Sequence, residues 1–169
     1  YLDFLAQARR IELLNVAGRF DRESDAGKVM LQKGLLTQGE WGWQLEIARG
    51  AGRSSIFVSE PDVARLLQAK AAIAAGILTL LSRCEMRPED VQKLYLAGGF
   101  GLHLNVENAV ACGLLPDFSA EQIEVVGNTS LAGAYLALLD SHALEEMERV
   151  RQNIEIIELN LDPEFETTY

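Results

Sequence analysis

The spacing of apolar and polar positions changes along this chain, and each change marks an element. Residues 1 to about 14 carry helical spacing with one apolar side, the mark of an amphipathic helix. Residues 15 to 42 mix glycine, charge and short apolar pieces, which predicts loop with at most a weak helix or strand. Gln44 to Ala48 and Ser55 to Val58 read as two strands. Arg49-Gly50-Ala51-Gly52-Arg53 between them reads as a hairpin turn. Ser59-Glu60-Pro61-Asp62 then opens a helix: serine can cap, proline suits the first turn, and aspartate three residues on completes a capping box. This helix is predicted to run to about Cys84. Its apolar stripe is Val63, Leu66, Leu67, Ile73, Ala74, Ile77, Leu78 and Leu81, with Lys70 in the middle of it. The other side carries Ala72, Ala75, Gly76 and Thr79, small enough for close packing.

The second half alternates short apolar runs with helices. Arg87-Pro88-Glu89-Asp90 is a turn or helix start, and strand Lys93–Ala97 follows. Asn105 is placed to cap a helix from Val106 to Cys112, ended by Gly113. Pro116-Asp117 turns the chain into strand Gln122–Val126. Helices from Ser130 to about Leu139 and from Ser141 to about Gln152 come next, and Ile154–Leu159 reads as a final strand. Strands alternating with helices indicate an α/β fold. The strands carrying Leu96 and Val125 are expected in one sheet.

Two strand ends stand out. Leu94-Tyr95-Leu96-Ala97 runs into Gly98-Gly99-Phe100-Gly101, and Ile123-Glu124-Val125-Val126 runs into Gly127-Asn128-Thr129-Ser130. Glycine lets a ligand approach the backbone with no Cβ in the way. In open α/β sheets, ligands sit beyond the carboxyl ends of the strands. Two such corners in a short chain point to a nucleotide cleft. The first corner lacks the GxGxxG spacing of dinucleotide folds, and the lysine and hydroxyl of a P-loop are absent as well. Taken alone, it reads equally as a tight turn. Asn128 is a helix cap, a ligand contact, or both. Lys70 must snorkel, pair, or meet a ligand. His103 follows the first corner as a loop histidine, and no nucleophile–histidine–acid set is readable.

Charge narrows the partners. The formal net charge is -10 over 169 residues, which disfavours nucleic acid and anionic membranes. ATP stays open, since a nucleotide site needs only local donors. No run reads as long enough to span a membrane. Cys84 and Cys112 have no metal-ligand spacing and read as buried free thiols of a reducing, cytoplasmic setting. The chain begins with Tyr1 already in helical sequence and ends in an element opened by Asp162-Pro163-Glu164-Phe165, so it reads as a piece of a longer protein.

Several separate motifs carry a family resemblance: Ala69-Lys70-Ala71-Ala72-Ile73, Leu96-Ala97-Gly98-Gly99-Phe100-Gly101, Gly113-Leu114-Leu115-Pro116-Asp117 and Gly127-Asn128-Thr129-Ser130-Leu131-Ala132-Gly133-Ala134. Together they resemble the C-terminal region of the ATP-dependent reductive activators of corrinoid proteins. That family lies in the acetate and sugar kinase, heat-shock chaperone and actin superfamily. The resemblance implies a lobe of an actin-like, ribonuclease H-like ATPase fold, with a mixed sheet and packed helices. It implies that residues 1–169 are part of one ATPase domain. Residues 1–58 would supply a helix, an irregular segment and a hairpin, and residues 59–169 the α/β nucleotide-facing lobe.

Function follows from the same resemblance. The parent protein is expected to use ATP with magnesium to reduce cob(II)alamin to cob(I)alamin in a corrinoid protein. It would carry an iron–sulfur cluster in a ferredoxin-like domain absent from this chain. Gly98, Gly99, Phe100 and Gly101 resemble the adenosine motif. Ala132-Gly133-Ala134 resembles a connecting helix, and Lys70 resembles a lysine that lies beside adenosine. Gly127 and Asn128 complete the expected nucleotide contacts. The implied partners are the corrinoid protein and the remaining lobes of the parent, with homodimerisation open. No phosphate hairpin or metal-holding acid is readable, so this chain alone is expected to be inactive. Two other functions remain: a protein-docking module of the same fold without nucleotide chemistry, and a lobe of a small-molecule kinase of the superfamily.

Overall fold

The structure is a computed structural model that describes residues 1–49 and 54–168. The tip of the predicted hairpin turn, residues 50–53, lies outside the described residues. Two units are distinguished: residues 1–74 with 107–115, and residues 75–106 with 116–169.

The first unit opens with α1, Leu2–Arg10, which buries Leu5, Ala6 and Ala8. Asp3 in its first turn and Arg9 and Arg10 in its last complement the helix dipole. The helix stops short of the predicted end because Glu12 takes a left-handed backbone (φ 58°). Glu12 N then donates to Arg9 O and Leu13 N to Ala8 O, the two bonds of a Schellman closure. The turn delivers Leu13 and Leu14, 2% and 4% exposed, into the core.

The stretch that read as loop holds a helix and a strand. In α2, Asp25–Gln32, the Ser24 hydroxyl accepts from Gly27 N at 3.1 Å. Leu35 N closes the other end on Met30 O, beyond Gly34. Strands β1 (Leu36–Gly39), β2 (Gly42–Ala48) and β3 (Ile56–Ser59) form an antiparallel sheet in that order. Its register stacks Leu36 on Leu45 and Leu45 on Val58, so three buried side chains line one face. Burying a side chain of this kind contributes about 1.5–3 kcal/mol.

Helix α3, Glu60–Arg83, starts where the capping box predicted. Asp62 Oδ2 accepts from Ser59 N at 3.0 Å and from Ser59 Oγ at 2.6 Å. Glu60 is buried and accepts from Phe20 N (3.1 Å) and Arg19 (3.3 Å), tying the irregular segment to the helix start. In α4, Val106–Ala111, the Asn108 amide donates to Asp3 at 2.6 Å and so holds α4 to α1.

In the second unit, β4 (Leu94–Ala97) and β5 (Ile123–Gly127) pair in parallel, Leu94 opposite Ile123 and Leu96 opposite Val125. The strands carrying Leu96 and Val125 thus share a sheet, as expected. The Gln122 amide donates to Pro88 O and Val91 O at 3.0 and 2.6 Å, which pins the start of β5 beside the entry to β4. Helices α5 (Thr129–Leu139), α6 (Ala143–Gln152) and α7 (Pro163–Thr168) follow. From Ala75 onward α3 buries its small-residue side, Ala75, Gly76 and Thr79, while Ile73 is half exposed.

Three sequence expectations are corrected. Ile154–Leu159 is not a strand: residues 154–158 are irregular and Leu159–Leu161 is a 3-10 turn. Its alternation finds no pairing edge among the described residues, and Ile154 and Ile156 stay exposed. Cys84 is exposed; only Cys112 is buried. By length and composition alone, α3 is long and apolar enough to cross a membrane. It nonetheless carries Lys70 at mid-length and buries Val63, Ala75 and Thr79 within the protein.

The C-terminal helix is held by an ion pair. Asp162, buried, takes Arg83 Nε and Nη2 at 2.9 and 2.6 Å on one oxygen, while its other oxygen accepts from Glu164 N. The guanidinium holds the Asp162 carboxyl below the usual carboxylate range. A depressed folded-state value stabilises the fold above the unfolded-state value, about 3.9, and that stabilisation disappears as pH falls through the folded value. Thermal melts from pH 6 to pH 2 should therefore show a loss of stability below about pH 4 that is smaller in Asp162→Asn. Parallel curves for the two proteins would contradict this.

Candidate nucleotide site

The two glycine corners meet. Gly98 N donates to Gly127 O at 2.7 Å, joining the carboxyl ends of β4 and β5 just past their last paired residues. Both glycines have left-handed backbones, φ 95° and 75°, a region costly for residues with a Cβ. The pairing register shifts between Leu96 and Ala97, so the first corner kinks away from the ladder there.

Space is the second feature. A Cβ built on Gly98 or on Gly99 would meet nothing within 4 Å. Gly98 is explained by its backbone angle. Gly99 has no such angle and no neighbour that would exclude a side chain, so nothing within the described residues requires glycine there. That is the arrangement expected where the neighbour is a ligand. Beyond it, Phe100 projects with 72% of its surface exposed, whereas Gly101 is buried against Leu96. Phe100 O and Gly101 O accept from His103 N and Leu104 N, which folds residues 101–103 into a 3-10 turn. Leu102 lies 3.7 Å from where a Gly127 Cβ would stand, so this turn backs the second corner.

Asn128 caps α5: its Oδ1 accepts from Leu131 N at 3.0 Å. The first turn of a helix leaves amide donors without carbonyl partners. With Leu131 N satisfied by the cap, Thr129 and Ser130 present theirs at the corner. Free amides and the positive end of the helix dipole favour an anion. The second unit thus brings together Gly98, Gly99, Phe100, Gly101, Gly127 and Asn128. Lys70 belongs to the first unit. It is half-buried, and its Nζ donates to Gly113 O at 3.3 Å, at the carboxyl end of α4. Sequence reasoning had no signal for this partner, because the bond spans 43 residues.

No three His, Cys, Asp or Glu side chains among the described residues are grouped to hold a metal ion. The geometry supplies backbone donors, an open glycine floor and one exposed aromatic ring. That suits a purine nucleoside with a phosphate near the α5 amides.

A family model described as the C-terminal domain of RACo, the ASKHA domain, matches residues 1–169. The chain belongs to this family. It is 32% identical over 114 residues to the corrinoid activation enzyme RamQ of Eubacterium limosum, covering 68% of this chain and 19% of that protein. It is 31% identical over 99 residues to a [Co(II) methylated amine-specific corrinoid protein] reductase of Methanosarcina barkeri, covering 59% of this chain and 18% of that protein. Among solved structures it resembles a reductive activator for corrinoid, iron-sulfur protein, with a TM-score of 0.86 and 32% identity over 99% of this chain and 26% of that one. The actin-like α/β fold class expected from sequence is therefore confirmed. The chain spans about a fifth of the curated relatives it matches.

The two corner glycines should respond differently to the same substitution. Gly98→Ala should lose about 1 kcal/mol in denaturant melts, because alanine is strained at positive φ. Gly99→Ala should stay within about 0.5 kcal/mol of the parent, as an open surface position does. Equal losses would mean that Gly99 is held by the fold rather than left open for a ligand.

Proposed function

We propose that this chain is the nucleotide-binding part of an ATP-dependent reductive activator, which reduces cob(II)alamin to cob(I)alamin in a corrinoid protein. The observation that carries the proposal is the bond between Gly98 N and Gly127 O beside open space at Gly98 and Gly99. Family membership supports it, and so do the printed activities of the matched relatives. Gly98, Gly99, Phe100 and Gly101 would take the adenosine. Gly127 and Asn128 would take a phosphate through the backbone and the α5 amides. Lys70 would supply a further donor.

ATP supplies the free energy for an otherwise unfavourable electron transfer. Phosphoryl transfer needs the γ-phosphate, metal and attacking group held together, and the acid that holds magnesium would come from the longer polypeptide. The iron–sulfur cluster that delivers electrons would sit in a separate ferredoxin-like domain. The working partner would be a corrinoid protein, in the cytoplasm, with a homodimer as the assembly to look for.

Calorimetry with ATP on the longer polypeptide tests this. Gly99→Val should abolish binding while leaving the melting temperature nearly unchanged, since its side chain enters space the fold leaves empty. Unchanged affinity would contradict the cleft. Lys70→Met keeps the apolar length and removes the charge. A bond from a charged donor is worth about 1.5–3 kcal/mol, so affinity should fall about tenfold or more. If Lys70 serves only Gly113, affinity will hold and only the melt will move. The 169-residue chain by itself should release phosphate from ATP no faster than buffer. Magnesium-dependent turnover that disappears in Gly99→Val would contradict that expectation.

A further inference from the structure

The second unit buries very little. Among its described residues, Ala75 and Phe118 are the only buried apolar side chains; the rest of the apolar core belongs to the first unit. Helix α5, TSLAGAYLALL, is apolar along its whole length, yet none of its residues is buried. Helices of that composition are normally internal. Its half-buried residues are the small ones, Gly133 and Ala137, with Gly133 facing Met147 of α6. The large ones, Leu131, Tyr135, Leu136, Leu138 and Leu139, are 57–84% exposed. At 3.6 residues per turn they sweep an arc of about 160°.

Two more faces are equally bare. On α6, Leu144, Met147 and Val150 recur at helical spacing and continue to Ile154, all exposed, and with Leu136 they edge an apolar groove. On the sheet, Tyr95 and Val126 lie on one side of a two-stranded parallel pair and are 60% and 38% exposed. Parallel sheets are found covered on both sides, and two strands alone are not stable.

Area gives the scale. Two separate folded bodies, each of half this chain's mass, would expose about 9,900 Å² together. The chain exposes 11676 Å², an excess of about 1,700 Å² over that reference. A standard contact with another protein covers about 800 Å² on each partner. A single two-fold contact with a second copy would use one self-complementary patch and would leave about half of the excess open. The matched proteins are much longer, this chain covering 18–26% of each. We infer that the large-residue face of α5, the α6 groove and the open sheet face form one interior surface, covered by polypeptide of the same longer chain. In that state α5 is a core helix and β4–β5 is part of a wider sheet.

The test is cysteine accessibility in the longer polypeptide, with Cys84→Ser removing the exposed native thiol. Leu138→Cys, at the most exposed α5 position, should be alkylated at least a hundredfold more slowly than Glu145→Cys on the charged side of α6. The protection should persist on dilution through any dimer–monomer transition seen by sedimentation. Equal rates would overturn the inference. Protection lost on dilution would assign the surface to a second copy and overturn it too. Hydroxyl-radical footprinting of the unmodified protein reads the same exposure at Tyr135 without substitution. Low modification relative to Trp41, which is 74% exposed here, supports the inference, and comparable modification contradicts it.

Discussion

The hydrogen bond from Gly98 N to Gly127 O is the constraint on which the site depends. Two parallel strands of four and five residues cannot hold a geometry by themselves. The bond closes them at the carboxyl end, and the Gln122 amide closes them at the other. Between these ties the register is fixed, and with it the positions of Gly99, Phe100 and the amino end of α5. Because Gly98 and Gly127 both lie at positive φ, the tie itself demands glycine. Gly99 is the exception: it is free to be another residue as far as the described fold is concerned, which makes it the most telling position for function.

The two units are built on different physics. The first has a full apolar core, Leu5, Leu13, Leu14, Leu36, Leu45 and Val58 among others, and satisfies its buried polar groups locally, as Glu60 and Asn108 show. It can hold Lys70 and the α4 terminus in a set place without help. The second is held by polar ties, Arg83 to Asp162 and Gln122 to Pro88 and Val91, and leaves its large apolar side chains in solvent. A nucleotide site built there gains rigidity only when those faces are covered. Closure around the ligand and completion of the interior would then be one process, which suits a machine that converts nucleotide binding into work on a partner.

Much of this was legible in the sequence, for identifiable reasons. The capping box at Ser59 and Asp62 announced α3, and the glycine corners announced the ends of β4 and β5, because local chemistry decides those features. The end of α1 was not legible: its left-handed residue is Glu12, where glycine is the usual signal. Helix α2 did carry its signals, Ser24 before it and Gly34 after it, but its weak apolar content hid them. Ile154–Leu159 was misread because alternation predicts a strand only where an edge is available to pair. The bond between the corners joins residues far apart in sequence, and the open space beside Gly99 is a property of packing, so neither could be read from a string of letters.

The most direct test of the account is a structure of the longer polypeptide with a non-hydrolysable ATP analogue bound. The account predicts the adenosine in van der Waals contact with the backbone of Gly98 and Gly99, in the space a Cβ on either residue would enter. It predicts a phosphate facing the amides of Thr129 and Ser130. A nucleotide bound elsewhere, with the Gly98–Gly99 corner still open or filled by protein side chains, would contradict it.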